Sequence, residues 1–272
     1  MMRYFPAILF FLFTGMAHAQ SLSGIEIMKE QELRNTGYRD EKSIGQMLLI
    51  GSHGEKTERE FEFRKLEKSG AGGDGEAASV ARSSRIPGGD KSLIKFIKPV
   101  DIQRTGLLSY QNKNRNDDQW LFLPAMGKTK RISGAGKSGS FVGSEFSYED
   151  LIPPDIDKYD YRFVKQESFG GSDCFVVESR PRFTDSAYSK TVSWIRTDNY
   201  QTVKTDFYDL KERPLKTALF ENLTLTNNRF WRPLKISVKN HQNNKQTDLT
   251  ISALSLDNGF KGDDFTQMAL ER

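Results

Sequence analysis

The stretch RISGAGKSGSFVGSEFSYEDL, Arg131 to Leu151, carries the residues that most invite a chemical reading: glycines, a lysine and serines close enough together to wrap a phosphate. A nucleotide loop of the form G-x-x-x-x-G-K-[ST] needs a glycine five residues before Gly136, and Arg131 stands there instead. The segment also opens no apolar-periodic helix, so nucleotide binding is not expected. Nucleophilic catalysis finds as little support. Beyond the first twenty residues the chain holds only His53 and His241, both in glycine- or asparagine-rich turns, and it has no G-x-S-x-G elbow. A Ser, His, Asp triad assembles from distant positions, so spacing alone leaves one open, yet no residue singles one out. Cys174 with two histidines cannot build a structural zinc site, and DIDKYD, Asp155 to Asp160, lacks the glycine of a calcium loop. The pairs Asp117 with Asp118 and Asp263 with Asp264 read as turn residues, because neighbours on a strand point to opposite faces and cannot share a site. Cys174 itself, inside CFVVES, reads as a small buried hydrophobe with no cation beside it. The expectation is a protein that is not an enzyme and needs no metal or cofactor.

What the sequence does offer is aromatic surface: 19 Phe, 9 Tyr and 3 Trp, with Trp120, Phe122, Trp194, Phe207, Phe220 and Trp231 in or beside strand-like runs. Singly, each is an ordinary core residue. Together they matter only if the elements that carry them enclose a space. From Ser21 to about Thr36, Leu22, Ile25, Met28 and Leu33 recur near helical spacing, which predicts a short amphipathic helix. Beyond it the period shortens to two. SIGQMLLIGS, TEREFEFRKLE, SLIKFIKP, TGLLSYQ, DQWLFLP and KTKRIS, then YDYRFVKQES, CFVVESR, KTVSWIRT, QTVKTDFYDL, PLKTALFENLTL, WRPLKISVKN and QTDLTISALSL, have strand length and are separated by Gly, Asn, Asp or Pro. FGGSD, RTDNYQ and NHQNNK supply residues that tolerate positive backbone angles, so the second half reads as an antiparallel meander. The polar, glycine-rich segment from Ser69 to Asp90 reads as a flexible loop between two strands.

Along the strands, apolar side chains recur at every second or fourth position: Val192 and Trp194, Val203 and Phe207, Ala218 and Phe220, then Leu234, Ile236 and Val238. One face of the sheet is therefore expected to be dry. A flat sheet of about a dozen strands does not persist, because twisted sheets of that size curl or close. Curling turns the dry face inward and leaves room for a ligand that side chains alone do not fill.

The chain opens MMRYFPAILFFLFTGMAHAQ, with a positive Arg3, an apolar run from Tyr4 to Met16, and Ala17, His18, Ala19 in the small-x-small order of a signal-peptidase site. Residues 1–19 are read as a secretory signal peptide, with an uncleaved N-terminal anchor as the weaker alternative. No later run approaches the ~20 apolar residues of a spanning helix, so residues 20–272 are expected to form one soluble, exported domain. A single thiol forms no internal disulfide, and Cys174 lies too far from the cleavage point to hold a lipid anchor. The formal charge of +4 becomes +3 without Arg3, and mixed-sign runs such as EKTEREFEFRKLEKS read as a solvated strand face. Nucleic acid is not expected as a partner.

DDQWLFLPAMGKTKRIS, the following FVGSEFSYEDL, the step WRP at Trp231 to Pro233 and the closing DDFTQMALER, in that order and spacing, resemble the periplasmic lipoprotein-carrier (LolA-like) family, and within it the outer-membrane lipoprotein-sorting proteins. The likeness covers most of the mature chain. It implies a mainly β fold in the periplasm: an unclosed antiparallel β-barrel of about 11–13 strands whose concave face is capped by a few short helices and a loop. Trp120, Phe122 and Pro124 correspond to the family's W-x-x-x-P strand, and Phe141, Phe146 and Tyr148 to its loop. On that footing the glycines and serines let the loop move, and its aromatics close over an apolar ligand. The implied ligand-binding set is Trp120, Phe122, Phe141, Phe146, Trp194, Phe207, Phe220, Trp231 and Ile236. Classical carriers also place an arginine on the inner face, for which Arg104, Arg131 and Arg196 are candidates. The insertion from Ser69 to Asp90 departs from the pattern by its length.

The leading functional reading is a periplasmic carrier or chaperone for a lipoprotein acyl chain, a lipid or another hydrophobic molecule. It serves outer-membrane sorting or works with an inner-membrane exporter, and burial of ~0.8 kcal/mol per methylene drives it. The alternative is a non-enzymatic interaction module with a filled core that docks on an envelope transporter by a strand edge or loop. A hydrolase of envelope lipids stands third. On the first reading Trp194→Asp and Phe207→Asp weaken lipid binding, whereas His53→Ala and His241→Ala leave function unchanged.

Overall fold

Local hairpins build most of the sheet. The computed structural model describes residues 22–67, 89–113, 115–152 and 155–272. The signal peptide read at 1–19 and the loop read at 69–90, save its last two residues, lie outside the described residues. Every strand-like run is a strand: β1 Asp40–Ile50, β2 Lys56–Leu66, β3 Lys91–Lys98, β4 Gly106–Tyr110, β5 Asp118–Leu123, β6 Lys128–Ile132, β7 Tyr159–Phe169, β8 Ser172–Pro181, β9 Lys190–Arg196, β10 Thr202–Tyr208, β11 Pro214–Thr226, β12 Phe230–Asn240 and β13 Gln246–Leu256. Between β7 and β8, Gly170 and Gly171 take φ of +58° and +79°, the left-handed pair that a two-residue hairpin turn requires.

The strands form one antiparallel sheet in the order β6-β5-β4-β3-β2-β1-β13-β12-β11-β10-β9-β8-β7. Two meanders are thus joined at the centre by the first strand and the last. β6 and β7 are the two edges and do not pair with each other, so the barrel is unclosed. The sheet nevertheless coils until opposite corners meet. In the β4–β5 loop, the Asn116 side-chain amide donates to Asp185 Oδ2 of the β8–β9 loop at 2.9 Å, and Lys158 Nζ, just before β7, reaches Asp117 Oδ1 at 2.6 Å.

Helix α1, Gly24–Asn35, begins with a capping box: Ser23 Oγ accepts from the Glu26 amide, and the Glu26 carboxylate accepts from the Ser23 amide at 2.7 Å. It lies on the concave face over β7 to β9, with Ile27 fully buried against Val177 and Ile195. Of the apolar residues read from spacing, Met28 packs against this cluster, whereas Leu22 and Leu33 are exposed. The helix approaches so closely that a Cβ on Gly24 would sit 2.8 Å from the Phe163 backbone nitrogen, and that approach turns the Gly24 and Ile27 side inward. The C-terminal helix α2, Gln267–Glu271, packs instead on the convex face, where Phe265 and Leu270 cover Leu93, Leu108 and Phe122. Of the two α-helices among the described residues, α1 is the one on the hollow side. Among the described residues no helix is long and apolar enough to cross a membrane.

Candidate functional site

Since β6 and β7 are the outermost strands, the chain between them must travel from one edge of the sheet to the other, and residues 133–152 run across the concave face. The crossing segment folds into a small hairpin: Phe141 N–H donates to Phe146 O at 2.8 Å and Tyr148 N–H to Gly139 O at 3.1 Å. At its tip Val142 and Gly143 both take positive φ, +49° and +78°. Glycine accepts this freely, whereas a β-branched residue held there stores on the order of 1–3 kcal/mol.

The surrounding structure holds that strained tip down. Phe141 is fully buried, its ring stacked on Phe96 at 5.5 Å and edge-on to Tyr148 at 5.9 Å. Phe146 and Tyr148 join it in the largest apolar cluster, with Met47, Phe61, Leu107, Leu121, Ala218 and Val238 of the sheet. Polar groups fix the segment to both halves of the molecule. From the first half, Arg59 donates to the Val142 carbonyl with its guanidinium over the Phe96 ring, and Gln119 donates to Tyr148 O at 2.8 Å. From the second, Lys216 Nζ contacts Glu145 O at 3.0 Å and pairs with Asp150, while Thr247 Oγ1 accepts from the Glu145 amide at 2.9 Å. Asp150 also accepts from Tyr188 Oη at 2.7 Å. Burial pushes the Glu149 carboxyl above its ordinary value, although Ser186 Oγ and the Ala187 amide each donate to it at 2.6 Å.

The apolar concave face is therefore covered by the chain itself. Two cavities border the cover: one of about 150 Å³ at the tip beside Gly143 and Glu145, and one of about 290 Å³ at its base beside Lys137. Polar and charged side chains supply much of both linings.

Among the residues picked out by sequence, Phe141, Phe146, Phe207, Phe220 and Ile236 meet on this face. Four others do not. Trp120 and Phe122 point to the convex side under Phe265 and Leu270. Trp194 stands opposite Lys204, whose ammonium lies 3.9 Å from its ring centroid, and donates to Glu167 at 2.6 Å; its neighbour Ile195 is the residue that faces inward. Trp231 pairs with Leu225 and shares the outward parity of Pro233 and Lys235, while Phe220 and Ile236 occupy the inward one. Alternation gives a period but not its phase, and the register sets the phase.

The inward arginine needed the same correction. Arg104 donates to the carbonyls of Glu271 and Arg272, Arg131 pairs with Asp118, and Arg196 pairs with Asp198, all away from the hollow. Arg59 and Arg232 face it instead. Arg232 is bound to Glu41 at 2.9 Å beneath Tyr38, whose hydroxyl burial pushes up to about 12. The run TEREFEFRKLE is likewise solvated on one parity only: Arg59 shares its side with Phe61 and Phe63, and that shared parity was the available signal. His53 and His241 sit exposed in turns, and Cys174 is buried, its thiol pushed up by desolvation. No cluster of metal-ligating side chains occurs among the described residues.

The fold recurs in solved structures. An outer membrane lipoprotein-sorting protein domain from Vibrio parahaemolyticus superposes with a TM-score of 0.83 at 36% identity, over 92% of this chain and 98% of that one. This chain belongs to the family of outer-membrane lipoprotein-sorting proteins. A family model described as an uncharacterized protein matches residues 88–272. A DUF1329-family protein from Desulfovibrio piger is 27% identical with a TM-score of 0.80, covering 91% of this lipoprotein-sorting chain and 97% of its own. A LolA superfamily protein from Nitrosomonas europaea shares the fold at 16% identity, with a TM-score of 0.67 over 92% and 100% of the two chains. Among curated proteins, none matches this chain.

Proposed function

We infer that the protein is a periplasmic carrier that takes the acyl chain of a lipoprotein or lipid onto the concave face of its sheet. The hairpin between Gly139 and Tyr148 occupies that face until cargo displaces it. The observation that carries this reading is Phe141: a fully buried aromatic ring at the centre of the concave cluster, borne on a strained hairpin and not on the sheet. Such a side chain stands where an alkyl chain would lie. Exposing two phenylalanines costs about 3–6 kcal/mol, so cargo must bury about four to eight methylenes to offset it. Fatty acyl chains exceed that length. The chemistry is non-enzymatic transfer and calls for no cofactor. The secretory signal read at 1–19 and the family support the periplasmic site, and a membrane exporter fits as the donor of cargo.

The filled interior favours a second reading, the interaction module that docks on an envelope transporter with no cargo at all. Organic extraction of protein purified from the periplasm, followed by mass spectrometry, separates the two, because only a carrier co-purifies with stoichiometric lipid. Phe207→Asp, on the concave face, is expected to abolish binding of a fluorescent fatty-acid probe. Trp194→Asp, on the convex face, leaves it within about twofold of wild type. Equal losses in the two variants, with both folded by circular dichroism, would sink the concave site.

A further inference from the structure

The cavity at the base of the cover lies where the two corners of the coiled sheet meet, and its polar groups are incompletely matched. Asp185 uses one carboxylate oxygen for both of its donors, Asn116 at 2.9 Å and Lys137 Nζ at 3.4 Å. The other oxygen, Oδ1, is buried and has no hydrogen-bond partner among the described residues. Lys137 is itself buried, with side-chain exposure of 6%, and among the described residues its three N–H donors meet only Asp185. The lining carries five cationic side chains against three carboxylates. Arg115 and Arg182 pair with Asp118 and Asp160, which lie outside the lining; both arginines are exposed, so these pairs exchange readily. A vacant acceptor asks for a donor, and an excess of cations asks for an anion.

We propose that this cavity holds the headgroup of the lipid cargo, a phosphodiester bearing a hydroxyl or primary ammonium donor, with the Asp185 carboxylate turning its buried Oδ1 to the donor and the phosphate on Lys137 and Arg115. The proposal rests on the carrier reading and names the class of cargo. Its position fits: Lys137 precedes Phe141 by four residues, at most about 14 Å of extended chain, so one molecule reaches from the cavity to the concave face. Phosphocholine, whose quaternary nitrogen has no N–H, satisfies the cations and leaves the acceptor vacant. Selectivity against choline lipids is therefore the signature.

The test measures binding of dihexanoyl phosphatidylethanolamine, phosphatidylglycerol and phosphatidylcholine, and of free phosphoethanolamine, to the whole mature protein and to Asp185→Ala. The ethanolamine and glycerol lipids are expected to bind wild type about tenfold more tightly than the choline lipid, as for a hydrogen bond to a charged acceptor. In Asp185→Ala that preference falls to within about twofold while choline-lipid affinity holds. Asp185→Asn, of equal size, serves if the alanine variant does not fold, and it should weaken the ethanolamine lipid more than the glycerol lipid. Equal affinity of all three lipids for wild type, or a preference that survives both substitutions, overturns the headgroup site and leaves the carrier standing. Free phosphoethanolamine binding as tightly as its lipid would assign the cavity to a soluble phosphoester instead. Binding of no lipid at all removes the carrier reading and this proposal together.

Discussion

At the scale of residues, the cover is held by groups whose burial has a measurable cost. Glu149 accepts two hydrogen bonds, yet burial still raises its pKa from the ordinary 4.5. A carboxyl raised in the fold favours its proton there. Its contribution to stability is therefore present below the unfolded value and is lost as pH rises through the folded one. The difference in Tm between wild type and Glu149→Gln is expected to shift in favour of wild type on going from pH 7 to about pH 4.5. A flat difference, or one moving against wild type, would show that the carboxyl is not desolvated as described. Individual residues were also where sequence reading fell shortest. Trp194 and Phe207 are equally apolar and sit in equally alternating runs, but only pairing with Lys204 and Thr191 sends them to opposite faces. Arg59 stood among glutamates and looked solvated, although its parity with Phe61 and Phe63 already pointed inward.

At the scale of elements, the hairpin from Gly139 to Tyr148 contributes no strand to the sheet and depends on side-chain anchors. The most buried ion pair among them is Lys216 with Asp150, whose side chains are 4% and 9% exposed. Removing one partner of a buried pair strands the other, at about 3–5 kcal/mol. Lys216→Met should therefore lower global stability by up to that amount and, more tellingly, raise amide exchange across 139–150 well before β1 or β13 opens. Unchanged protection of that segment would mean that the apolar contacts of Phe141 hold the cover alone. All thirteen strands and α1 were legible from period, length and turn residues, because those signals are local. The path of the crossing segment was not: glycine and serine suggested mobility, whereas a buried Phe141 and a fixed hairpin arise from contacts to Phe96 and Lys216, distant in sequence.

At the scale of the molecule, the last strand occupies the middle of the sheet. β13 pairs with β12 on one side and, on the other, with β1, about 200 residues away along the chain. Nothing in a local pattern announces that pairing, and it decides the architecture, because it joins two meanders into one coil and brings the Asn116 and Asp185 corners together. Each meander alone presents Met47, Phe61, Ala218 and Val238 to water with no facing half to cover them. Stability is thus expected to be collective across the sheet and not a sum of two independent parts. A chain ending at Lys245 lacks β13 and should show no cooperative thermal unfolding. A chain ending at Lys261 loses only the 262–272 segment over Leu93 and Leu108, and should keep a cooperative transition at lower temperature. Differential scanning calorimetry distinguishes these outcomes. A sharp transition in the shorter chain would mean that the two meanders fold separately and that the central pairing merely docks them.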